Sequence, residues 1–113
     1  MNQPNLFENN TQSDEIEKIL LYALGDFQSR GKVLAERELA LDRLRGAFKR
    51  ASEKFEVEEF SDEKIAENLE KLGAKVIKVP IFVAKHPFRV TISLQTAERA
   101  KNVYNEILKE EIQ

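Results

Sequence analysis

Between Ser61 and Leu108 the hydrophobic period of this chain changes twice, and that change constrains the fold more than any other feature. Ile65, Ala66, Leu69 and Leu72 recur at helical spacing behind Ser61, Asp62 and Glu63, a capping hydroxyl followed by two carboxylates. Gly73 then supplies the left-handed stop. Ala74 to Val79 is rich in β-formers, Pro80 and Pro87 bracket a connector, and Phe88, Val90, Ile92 and Leu94 alternate with Arg89, Thr91 and Ser93. After Thr96, read as a cap, Ala97, Ala100, Val103, Tyr104, Ile107 and Leu108 return to helical spacing. A helix, a β-hairpin and another helix follow one another without a break, so the expected class is α+β.

Two more helices precede this unit. Ile16, Ile19, Leu20, Ala23, Leu24 and Phe27 form one apolar face from Ser13 onward, with Asp14, Glu15 and Glu17 expected in the first turn and Gly31 as a stop. Leu41, Leu44, Phe48, Ala51 and Phe55 form a narrower stripe on a second helix, with Gly46 on its exposed side. The stretch from Lys32 to Glu38, containing Val33 and Leu34, reads as a short extended segment between them. The acidic residues Glu56 to Phe60 read as a connector.

At 113 residues, the chain suits one domain, since folding at this length buries roughly 65% of the surface an unfolded chain exposes. Residues 1–12, polar and rich in Asn and Gln, read as a disordered tail without the pattern of a secretory signal, and residues 13–113 as the domain. There is no cysteine, which excludes a disulfide framework, a thiol nucleophile and cysteine-ligated metal. No apolar run approaches the length of a membrane span. The expectation is a cytoplasmic protein with no membrane partner.

Chemistry finds little purchase. The one histidine, His86, stands in Ala84-Lys85-His86-Pro87 with no serine or acid beside it, and one histidine without cysteine does not make a zinc site. Glu58-Glu59 and Glu110-Glu111 are neighbours on exposed stretches rather than carboxylates converging across a cleft. The four glycines, at 25, 31, 46 and 73, are too scattered to cradle a phosphate. No enzyme, cofactor or metal is expected.

The order helix, short strand, helix, helix, hairpin, helix resembles a winged helix-turn-helix domain over residues 14–94. The similarity is greatest from Ser61 to Leu94, where IAENLEKLG runs into AKVIKV, a connector and FRVTISL. This resemblance implies a third helix that enters a DNA major groove and a hairpin that forms the wing. Helical projection puts Glu63, Glu67 and Glu70 opposite the apolar stripe of that helix, with Lys64, Asn68 and Lys71 as a column on its flank.

A net charge of −2 gives no whole-molecule attraction to nucleic acid, so binding must come from a local patch. Arg43, Arg50 and Lys54 stack on one side of the second helix, while Arg45 and Lys49 share the other with Asp42 and Glu53. The wing adds Lys75, Lys78, Lys85, His86 and Arg89. The leading expectation is therefore a winged-helix-like binding module for duplex DNA in a regulatory role, through Arg43, Arg50, Lys54, Lys64, Asn68, Lys71, Lys85, His86 and Arg89. The alternative is a protein-interaction or dimerisation domain without DNA binding, joined to a second copy or a protein partner through the apolar Ile81, Phe82 and Val83 or through the last helix.

Overall fold

A computed structural model describes the backbone of residues 3–80 and 87–112 and the side chains of residues 14–80 and 87–111. It is an α+β arrangement of four helices and a three-stranded antiparallel sheet: α1 Gln3–Ser29, β1 Glu38–Ala40, a 3-10 turn Leu41–Leu44, α2 Arg45–Lys54, α3 Asp62–Lys71, β2 Lys75–Lys78, β3 Phe88–Thr91 and α4 Leu94–Ile112. The strand order is β1-β3-β2.

The helices form where the apolar periodicity places them, because each stripe has one core to face. Leu20, Leu24, Leu44, Ala51, Leu69 and Ala100 are fully buried together with Val90 and Ile92 from the last strand region. Helix α3 starts as its sequence dictates: the Ser61 side chain accepts a hydrogen bond from the Lys64 amide at 3.1 Å. Gly31 and Gly73 follow α1 and α3 at φ 83° and 92°, values that L side chains rarely adopt.

Several local expectations are displaced. Helix α1 starts at Gln3, so Asp14, Glu15 and Glu17 lie within the helix rather than in its first turn. The extended segment falls at Glu38–Ala40, later than Lys32 to Glu38, because pairing against β3 buries Leu39 opposite Val90; within the earlier stretch only Ala35 bridges Ile92. The stripe of the second helix begins in the 3-10 turn, with Leu41 and Leu44 already buried. Leu94 is 54% exposed and opens α4 instead of extending the strand. The cap of α4 is Ser93, whose hydroxyl accepts from the Thr96 amide at 3.2 Å. Thr96 instead donates its own hydroxyl to the Leu72 carbonyl at 3.1 Å, tying α4 to the end of α3.

Helix α4 crosses α1 at Gly25. A Cβ there would lie 2.4 Å from Tyr104 Cβ and 2.6 Å from the Ala100 carbonyl oxygen, so only glycine permits this approach. Gln28 donates to the Ala97 carbonyl at 2.9 Å across the same crossing. Ala97, Ala100, Val103, Tyr104 and Ile107 of α4 are thereby packed into the core, and Lys101, Asn102, Asn105, Glu106 and Lys109 face outward.

Register divides the sheet into two faces. Leu39, Val90 and Val76 lie side by side on the inner face. The outer face carries two rows, Glu38-Thr91-Lys75 and Ala40-Arg89-Ile77. Among the described residues no helix is long and apolar enough to cross a membrane.

Candidate nucleic-acid interface

The cations expected to form one patch fall into two groups. Arg45, Arg50 and Lys54 on α2 are engaged by carboxylates of the fold. Arg50 donates through Nε to Oδ2 of Asp26 at 2.7 Å, its Nη2 lies at the same distance from that oxygen, and Asp26 is only 5% exposed. Arg30 completes the cluster at 3.3 Å from the other carboxylate oxygen. Lys54 pairs with Glu111 and sits 5.4 Å from the centroid of the Tyr22 ring. Arg45 grips Asp62 through Nη2 at 2.8 and 2.7 Å, holding the start of α3 to α2. Arg43 stays exposed in the 3-10 turn.

The α3 flank is only partly available. Lys64 lies 5.3 Å from the Phe60 ring centroid, and Asn68 donates to the Lys64 carbonyl at 2.8 Å. Lys71 is exposed in the last turn. Glu63, Glu67 and Glu70 are all exposed and have no cationic partner among the described residues. Carboxylates in that position repel phosphate.

The strands carry the other group. Arg89 stands half-buried at the centre of the outer sheet face, with Lys75 diagonal to it on β2, and neither meets a carboxylate among the described residues. Lys78 lies 5.4 Å from the Phe88 ring centroid at the end of the hairpin, where the Val79 amide donates to the Pro87 carbonyl at 2.7 Å. Ile81, Phe82, Val83, Lys85 and His86 lie outside the described residues. A sequence signal for this group did exist. From Lys71 to Ala97 the chain holds five cations and no carboxylate, although its net charge is −2.

Sequence reading missed two residues that shape these surroundings. Asp26 is hidden in the apolar run of α1, and its burial is legible only once Arg50 is beside it. Glu36 adopts φ 60°, donates its amide to the Ile92 carbonyl at 2.7 Å and receives the Leu94 amide on its carboxylate at 2.9 Å. It clasps the loop before β1 to the start of α4.

Beside Asp26, Tyr22 packs edge-on against Phe55 with ring centroids 5.5 Å apart and tilted against Tyr104 at 5.0 Å. Burial pushes the Tyr22 phenol above its ordinary value of 10.0, and Tyr104 and Asp26 push the same way. The crevice between α2 and α3, lined by Leu41, Phe48, Ser52 and Phe60, has room for about 10 Å³, no more than one water. Among the described residues no group of three or more His, Asp or Glu is placed to hold a metal ion.

No family model, curated protein or solved structure matches this chain.

Proposed function

We propose that this chain is a winged-helix-like binding module that binds duplex DNA in a regulatory role. The observation that carries the reading is topological. A helix, a strand, two helices and a hairpin follow in that order, and the early strand joins the sheet beside the second hairpin strand, as β1-β3-β2. Such a layout presents a helix and a wing on one side of a small domain. The carboxylate-free run from Lys71 to Ala97 adds an electrostatic reason for a phosphate ligand.

Fluorescence anisotropy with a labelled duplex tests this. Affinity should drop at least tenfold between low and physiological salt, because a few displaced counterions make binding steeply salt-dependent. A folded protein that fails to bind duplex at low salt would exclude the reading.

A second reading, a protein-interaction module, is favoured by the exposed column Glu63, Glu67 and Glu70, which has no cationic partner among the described residues, and by the internal engagement of Arg50 and Lys54. Sedimentation of the protein alone separates its dimeric form: a monomer at high concentration argues against self-association, and Phe82→Asp should dissociate a dimer built on the connector.

A further inference from the structure

We infer that the outer face of the sheet, centred on Arg89 and Lys75, is the surface that docks on the DNA backbone, and that α3 does not enter the groove by its outward face. The inference rests on the nucleic-acid reading above and states how that ligand is met.

Three observations converge on it. Register places Arg89 and Lys75 on one face of adjacent strands, with the Thr91 hydroxyl next to both. Diagonal neighbours on an antiparallel pair are within reach of long side chains, so one phosphate can be approached by an ammonium and a guanidinium together. Both cations lack a carboxylate partner among the described residues, whereas Arg30, Arg45, Arg50, Lys54 and Arg99 are all paired on the helices. Arg43, Lys49 and Lys71 are exposed without a carboxylate partner among the described residues as well, but Arg89 and Lys75 are set as diagonal neighbours on one strand face.

The surroundings favour phosphate as well. The three strands contain one acid, Glu38; register sets it opposite Thr91 and diagonal to Arg89 on β1, with no ion pair to Arg89 among the described residues, and two strand spacings from Lys75, or about 10 Å. Lys71, exposed in the last turn of α3, precedes β2 by four positions and adds a cation to this stretch of the chain. Turning the outward face of α3 to DNA would instead press Glu63, Glu67 and Glu70 against phosphates. Charge complementarity selects the strands over the helix.

Arg89→Gln, Lys75→Gln and Glu67→Lys, titrated with the same labelled duplex over a range of salt, test this docking mode. Each sheet variant should weaken binding about fivefold to tenfold and lower the salt slope by about one, as loss of one phosphate contact does. Glu67→Lys should change affinity less than twofold. If Glu67→Lys tightens binding tenfold while the sheet variants bind as the parent does, α3 is the docking element and the inference is overturned. Should the parent itself not bind duplex at low salt, the nucleic-acid reading falls, which is a different result. Circular dichroism of each variant separates lost binding from lost folding, and Lys75→Gln, at an exposed edge position, remains informative if Arg89→Gln unfolds.

Discussion

Arg50 on α2 and Asp26 on α1 meet with both guanidinium contacts at 2.7 Å, and the carboxylate is almost completely removed from solvent. The pair fixes how the two helices pack, and it accounts for a cation whose sequence position suggested a ligand.

Removing either partner should therefore cost stability rather than a binding contact. Arg50→Ala leaves a buried carboxylate with only Arg30 at 3.3 Å, and we expect a loss of about 2 kcal/mol, below the range for a fully buried pair because the Arg50 side chain is 40% exposed. Urea denaturation measures it. A double-mutant cycle should give Asp26 and Arg50 a larger coupling than Asp26 and Arg30; the reverse order would contradict the geometry.

Two glycines make opposite predictions under the same substitution. Gly25→Ala forces a Cβ against Tyr104 and the Ala100 carbonyl, so it should destabilise by about 2 to 3 kcal/mol despite alanine's better helix propensity. Gly46→Ala meets only the end of the Arg50 side chain at 3.4 Å and should stabilise by up to about 1 kcal/mol. Thermal melts of both variants against the parent decide the matter.

Glu36→Ala removes the carboxylate that receives the Leu94 amide while keeping a left-handed backbone that alanine tolerates no better. We expect a loss of about 1 to 2 kcal/mol and faster hydrogen exchange at Leu94. Ser93→Ala should cost about 1 kcal/mol and expose the Thr96 amide in the same way. Unchanged exchange at both amides would show that neither residue holds the start of α4.

Tyr22 predicts a pH dependence. Its phenol is raised above 10.0 in the folded state, so its contribution to stability is fully present below pH 10 and is lost as pH rises through the folded value. Tyr22→Phe should remain close to the parent at neutral pH and lose less stability above pH 10. Parallel urea titrations at pH 7 and above pH 10 give the comparison; identical alkaline losses would show that the phenol is not the group responsible.

The sequence by itself determined the four helices, their inward faces and the glycine stops after α1 and α3, because periodic burial and a left-handed turn are governed by residues a few positions apart. It also determined that Glu63, Glu67 and Glu70 point outward. Tertiary structure alone decided that Glu38–Ala40 becomes a strand, since those residues pair only when β3 is alongside. It likewise decided that Arg50 and Lys54 turn inward while Arg89 and Lys75 share an open sheet face. Asp26 and Arg50 lie 24 residues apart, as do Leu72 and Thr96, and no local rule selects such partners. A cation's availability is set by the nearest carboxylate in space, which is why the charge pattern was legible in the chain and its division between the core and the surface was not.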